Sequence, residues 1–164
     1  AVRSRGLGDV YKRQEYGIDA LKAVWHRGAI DADGKTGDGA GIHIEIPKDF
    51  FEEKIEVTGH KHDNSELCVG MIFLPRNDYS AQEQCRTIVE SELTKRNFSI
   101  YGWRQVPVDP SVLGEKAEQT RPEITQVLFT YNDKKVVNKS LEQKLYETRR
   151  VIEKEALNLS LIHI

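Results

Sequence analysis

The sequence predicts an α+β fold. Three observations carry this expectation. From Cys68 onward, strand-length apolar or alternating runs trade places with helical stripes in the order β-α-β-β-α, a split βαβ pattern lacking its last strand. Two of the helical stripes are preceded by capping boxes, Ser80 with Glu83 and Ser140 with Gln143. The chain has 164 residues, 38% apolar and 30% charged, enough to bury one core and too apolar for a disordered tail.

Taken in order, residues 1–14 show no helical or strand period. Ile18, Leu21, Val24 and Trp25 follow helical spacing and predict a short amphipathic helix over 17–26. A glycine-dense loop follows, with Gly28, Gly34, Gly37, Gly39 and Gly41 inside fourteen residues. Ile42, Ile44 and Ile46 alternate with His43 and Glu45, the period of a half-buried strand. Pro47 opens a short helical turn over 48–54. Residues 58–66, TGHKHDNSE, read as a polar surface loop.

The 68–74 run is almost continuously apolar, as in a strand covered on both faces. Ala81, Cys85, Ile88, Val89, Glu92 and Leu93 make one stripe on a helix over 81–96. Residues 99–106 predict a strand with Tyr101 and Trp103 on one face, ended by Pro107 and Pro110. Residues 126–131 alternate, with Val127, Phe129 and Tyr131 on one side. Leu141, Leu145, Thr148, Ile152 and Ala156 form the stripe of a helix over 141–156.

The formal charge is −2, which leaves no electrostatic footprint for nucleic acid or an anionic membrane. No apolar run of about 18 residues is present to span a bilayer. Cys68 and Cys85 are too few for a disulfide framework and read as reduced core thiols. The ends look foreign to the middle. Residues 8–14, GDVYKRQ, resemble the translation of a sequencing adapter, and residues 159–164, LSLIHI, resemble its companion. The expectation is therefore that 1–14 and 159–164 are non-native and that 15–158 is an open-ended native piece. Arg3, Arg5, Lys12 and Arg13 outweigh Asp9 by three, so the remainder carries −5.

Chemistry concentrates in the glycine-dense loop: His26, Arg27, Gly28, Ala29, then Asp31, Asp33 and the run from Thr36 to Gly41. No G-x-x-x-x-G-K-[ST] string exists, so this is not a P-loop. The glycines follow a helix and precede a strand, which is the wrong context for a dinucleotide turn. A calcium loop starting at Asp31 fails at Lys35 and Ile42. Two readings remain. A strained loop can deliver a fixed cation, Arg27, and a fixed carboxylate, Asp38, to a ligand. Equally, a helix end and turns can leave Arg27 and Asp38 pairing only with each other.

HRGA (26–29) followed by ADGKTGDGAGI (32–42) resembles the signature of the glutaminase domain of glutamate synthase large subunits. VGMIFLP (69–75), GWR (102–104) with VPV (106–108), Leu113-Gly114 and RRVIEK (149–154) resemble further stretches of that domain, in the same order. The resemblance implies a partial class II glutamine amidotransferase domain over 15–158. Its N-terminal-nucleophile αββα core would occupy 17–57, followed by a ferredoxin-like β-α-β-β-α unit. In the family an N-terminal Cys attacks the side-chain amide of L-glutamine, with its own α-amine as base, and ammonia is released inward.

By the same resemblance, Arg27 helps hold that Cys, and Gly28, Asp38 and Gly39 support the loop. The catalytic Cys has no counterpart here, so the segment itself is expected to be inactive. FMN and an iron–sulfur cluster would lie on other domains, with no cofactor or metal site in this segment. The implied partners are L-glutamine, the remaining domains of the same chain and a small reductase subunit, in a bacterial cytoplasm or plastid stroma. The competing reading is a non-catalytic small-molecule-binding or assembly module.

Other residues take plainer readings. His60, His62 and Asp63 lack a third ligand at zinc spacing and read as solvated loop. Trp25 and Trp103 read as core or interface aromatics. Arg149 and Arg150, interleaved with Glu147, Glu153 and Glu155, read as the polar face of a helix.

Overall fold

The computed structural model describes residues 7–24, 28–37, 39, 41–62, 65–133 and 139–158. Its elements in chain order are α1 (Leu7–Ala23), α2 (Lys48–Val57), β1 (Leu67–Leu74), α3 (Tyr79–Lys95), β2 (Phe98–Gln105), a 3-10 turn (Pro110–Val112), α4 (Glu115–Thr120), β3 (Glu123–Tyr131) and α5 (Lys139–Asn158). The mixture is α+β. The chain divides into two compact units, Ala1–Ile46 with Asp109–Thr120, and Pro47–Val108 with Arg121–Ile164. No helix among the described residues is long and apolar enough to cross a membrane.

The larger unit is a three-stranded antiparallel sheet in the order β1-β3-β2. Successive side chains of a strand point to opposite faces. One face is covered by α3 and α5, and α2 covers only part of the other. Met71 and Phe73 therefore stay exposed, and β1 is not the strand covered on both faces that its apolar run predicted. On one face Cys68, Val127 and Phe129 pack with Phe98, Val89 and Leu93 of α3, and Leu141 of α5. On the other, Leu67 and Leu128 pack with Phe51 and Ile55 of α2. The central strand β3 is therefore buried without interruption from Thr125 to Thr130. Leu128 and Val127 are among the most deeply buried side chains of the described residues.

The expected stripes are the observed ones. Ala81, Cys85, Val89, Glu92 and Leu93 are buried on α3, and Ile88 is half-buried. On α5, Leu141, Thr148 and Ala156 are buried, and Leu145 and Ile152 pack against the core. Glu92 stays charged beneath α3 because Lys95 (2.7 Å) and Arg96 both reach it, which holds its carboxyl below the usual range. Arg149 and Arg150 both pair with Glu153 on the exposed face of α5.

Several expectations are corrected. The cap of α3 is Asp78, whose carboxylate accepts from the Ala81 N–H at 2.9 Å. Ser80 lies inside the helix, and its supposed partner Glu83 pairs with Arg86 instead. Gln143 likewise turns forward, donating to Glu147 at 2.8 Å. The helical turn expected over 48–54 is a longer helix, because Phe51 and Ile55, four apart, both find the sheet.

Tyr101 and Trp103 do not share a face. A bulge between Ile100 and Gly102 inserts Tyr101 as an extra residue and turns it toward α2. Trp103 stays on the α3 side, its Nε1 donating to Glu90 at 2.7 Å.

In the smaller unit, α1 begins at Leu7, within the stretch that showed no period. A helix needs no apolar face to form when its residues are strong helix formers such as Leu, Lys, Arg and Gln. Trp25, the last member of the expected stripe, lies outside the described residues. The strand expected over 42–46 is absent. Ile42, Ile44 and Ile46 are each more than 40% exposed and have no ladder partner among the described residues.

Candidate functional site

The glycine-dense loop lies in the smaller unit. Gly28 and Gly39 are described there, and Gly39 takes φ 80°, which suits a residue without Cβ. Arg27 and Asp38, with His26, lie outside the described residues.

Between them the chain forms a short hairpin. Ile30 and Gly37 make an antiparallel bridge, and the Asp31 N–H donates to the Thr36 carbonyl at 2.7 Å. Gly34 turns the chain with φ 68°, its N–H donating to the Asp31 carbonyl at 2.9 Å. The Asp33 carboxylate closes the turn. Its Oδ1 accepts from the N–H groups of Lys35 (2.9 Å) and Thr36 (2.7 Å). Its Oδ2 accepts from the Thr36 hydroxyl at 2.5 Å. The hydroxyl bond first, then the backbone bonds, hold the Asp33 carboxyl well below the usual range.

A segment eighty residues on completes the arrangement. Lys116 Nζ donates to Asp31 Oδ2 at 2.6 Å, and the Ala32 N–H donates to Oδ1 at 2.6 Å. These two bonds lower the Asp31 carboxyl. Gly114 sits directly against the turn. A Cβ placed on it would stand 2.6 Å from the Thr36 nitrogen and overlap both the Thr36 hydroxyl and Asp33 Oδ2.

The remaining chemistry-bearing residues lie in the larger unit. Cys68 and Cys85 are buried free thiols. Burial first, then the nearby Glu66 and Glu142, push the Cys68 thiol up to about 12, and burial raises Cys85 as well. The histidine loop departs from expectation. His62 is not solvated: its side chain is 6% exposed, bonded through Nδ1 to Glu52 (3.0 Å), with its ring edge-on to Tyr101. The bulge carries Tyr101 to this side and supplies the apolar wall. His60 remains exposed, with Nδ1 3.1 Å from the Thr58 hydroxyl. That hydroxyl's single proton faces the Ile55 and Tyr101 carbonyls, so the geometry favours the His60 tautomer that donates from Nδ1. Asp63 lies outside the described residues. Among the described residues no group of three or more His, Cys, Asp or Glu is placed to hold a metal ion.

Comparison with known proteins decides the family. The model of the class II glutamine amidotransferases matches residues 10–163, nearly the whole chain. The chain is a class II glutamine amidotransferase segment.

Among curated relatives, it is 55% identical over 140 residues to the glutamate synthase [NADPH] large chain of Azospirillum brasilense. It is 37% identical over 137 residues to the chloroplastic ferredoxin-dependent glutamate synthase 2 of Arabidopsis thaliana. A ferredoxin-dependent glutamate synthase 2 of Synechocystis is 35% identical over 142 residues. These alignments take in 82–86% of this chain, which spans only 8–9% of the relatives' own lengths.

Within this amidotransferase segment, sequence reasoning gave roles to Arg27, Gly28, Asp38 and Gly39, named Asp31, Asp33, Thr36 and Gly114 without a role in the turn, and did not single out Lys116. Asp33-Gly34 is a turn signal with a mechanism, a carboxylate that bonds its own backbone before a residue at positive φ. Nothing in the local pattern could pair that turn with Lys116, 85 residues away.

Proposed function

We propose that this segment is part of the glutaminase domain of a glutamate synthase. The domain hydrolyses L-glutamine to glutamate and ammonia, and the ammonia is passed on for reductive transfer to 2-oxoglutarate. The observation that carries the reading is the 55% identity over 140 residues to a glutamate synthase large chain, within a chain matched end to end by the amidotransferase family.

In this reading Arg27, Gly28, Asp38 and Gly39 support the active site. Arg27 holds an N-terminal nucleophilic Cys, and Gly28 and Gly39 allow the backbone its close turns. The Cys sulfur bonds to the amide carbon of glutamine, the C–N bond breaks, and ammonia leaves with the proton relayed by the α-amine. Water then releases glutamate. Neither Cys68 nor Cys85 is that nucleophile. Both are buried, and a thiol pushed up to about 12 supplies almost no thiolate at neutral pH. The segment by itself is therefore inactive.

The finer fold reading is a partial N-terminal-nucleophile core over 17–57 and a ferredoxin-like unit from β1 onward, within a native stretch of 15–158. The strand order β1-β3-β2 with α3 and α5 on one face supports the second part. FMN and an iron–sulfur cluster belong to other domains of the parent chain. A small reductase subunit is its partner, and a bacterial cytoplasm or plastid stroma its place.

The division of the chain favours a second reading for the larger unit alone. All the family's loop residues fall in the smaller unit, which leaves the larger one as a small-molecule-binding or assembly module. The catalytic role of the loop has a direct test. In the full-length protein that contains this segment, glutamine-dependent glutamate release is expected, and Arg27→Ala should lower it by a factor of about 100. Near-wild-type release from Arg27→Ala would count against the catalytic role. Glutamate release by the isolated segment would refute its inactivity.

A further inference from the structure

We propose that the Asp109–Thr120 segment is a clamp on the glycine loop, with Asp33, Thr36 and Gly114 as positioning residues for glutamine hydrolysis. The proposal rests on the functional reading above and adds what holds the loop in place.

The loop has almost no apolar burial of its own. Among the described residues of 28–46, Thr36 alone is half-buried, and every other one is exposed. A loop without a core keeps one shape only through specific polar contacts. Those contacts converge on one turn. Asp33 takes bonds from the Lys35 and Thr36 N–H groups and the Thr36 hydroxyl, and Gly114 lies flush against Thr36. Bonds to a carboxylate are the stronger kind. The Lys116–Asp31 pair is exposed and adds little by itself, so the weight falls on Asp33, Thr36 and Gly114.

The turn matters because of where it stands in the sequence. Arg27 and Gly28 precede the Ile30–Gly37 bridge, and Asp38 and Gly39 follow it. The bridge fixes how far apart the chain enters and leaves the hairpin. Whatever fixes the bridge fixes the frame from which the two halves of the motif depart. A displacement of an ångström at a nucleophile's support costs about 100-fold in rate.

The test uses the full-length protein with Gly114→Ala, Thr36→Val and Thr36→Ser. It reads kcat and KM for glutamine, the rate of alkylation by an electrophilic glutamine analogue, and the melting temperature. Gly114→Ala pushes a methyl into the turn, Thr36→Val removes the hydroxyl, and Thr36→Ser restores it. The first two should lower kcat and the alkylation rate at least about tenfold with KM and melting little changed, and Thr36→Ser should recover most of the loss. Silent Gly114→Ala and Thr36→Val variants in an active protein would overturn the clamp alone. So would a kcat loss that merely follows a loss of melting temperature, or Thr36→Ser behaving like Thr36→Val. A wild-type protein without glutamine hydrolysis would overturn the functional reading, and the clamp with it.

Discussion

Tyr101 and Trp103 stand two residues apart on β2 yet belong to opposite layers of the fold. The bulge at Tyr101 puts its ring against α2 and the buried His62, and Gly102 makes the reversal possible. Gly102 has φ 153°, and a Cβ there would stand 2.8 Å from Thr58 Cγ2. Gly102→Ala should therefore lower stability by about 1–3 kcal/mol, through strain at this φ and crowding of Thr58. Urea denaturation measures it. An unchanged midpoint and slope would show that the bulge tolerates a side chain.

The start of α3 offers a second test. Asp78→Ala should cost about 1 kcal/mol, the usual loss for a side-chain cap. Ser80→Ala should cost a few tenths at most, since Ser80 is the second residue of the helix and does not cap it. The reverse ranking in thermal or chemical melts would restore the capping box that the sequence suggested.

The thiols give a pH prediction. The Cys68 thiol is raised from 9.0 to about 12 in the fold, so folding favours its protonated form. That contribution is fully present below pH 9 and is lost as pH rises toward 12. Native protein at pH 8 should take up no alkylating reagent at either cysteine, and two equivalents once denatured. Fast labelling of Cys68 in native protein would contradict the packing around β1.

Asp33 behaves in the opposite sense. Its carboxyl is lowered from 3.8, so its bonds stabilise the turn above that pH and are lost as pH falls through the lower folded value. A carboxyl carbon NMR titration should place its midpoint below 3.8. Thr36→Val should move the midpoint up, because the Thr36 hydroxyl is the largest cause of the lowering. A midpoint indifferent to Thr36→Val would mean that the backbone bonds alone hold the carboxylate.

The elements of the larger unit were legible because apolar periodicity reports burial, and here burial is what shapes them. The α5 stripe from Leu141 to Ala156 falls where its spacing put it, and the apolar run of β1 is a strand, although Met71 and Phe73 on it stay exposed and not covered as the run predicted. The errors arose where a local signal competed with a tertiary one. Ser80 and Glu83 form a good capping string, but Asp78, two residues earlier, caps the helix instead by accepting from the Ala81 N–H. Ile42, Ile44 and Ile46 alternate well, yet a strand is made by its partner and not by its own pattern. His62 looked solvated because its burial depends on Tyr101 and Glu52, neither adjacent in sequence.

The candidate site was legible in a different way. Its motif was visible as residue types at fixed spacing. The turn inside it was written in Asp33-Gly34, but its attachment to Gly114 and Lys116 was not. Ion pairs and glycine contacts across 80 residues leave no periodicity to read, and only the folded backbone brings them together.

The sheet order carries a consequence for how the molecule comes into being. The strand between β1 and β2 is the last of the three to be synthesised. Among the described residues, neither earlier strand has a native strand neighbour for its backbone N–H and C=O groups until Tyr131 has left the ribosome. At about 5–20 residues per second, β1 waits several seconds for its partner. During that interval its apolar run, from Leu67 to Leu74, depends on chaperones or transient contact with α3 to avoid pairing with other chains. The arrival of β3 closes both ladders in one step, and α5, made after it, completes the face that α3 began to cover.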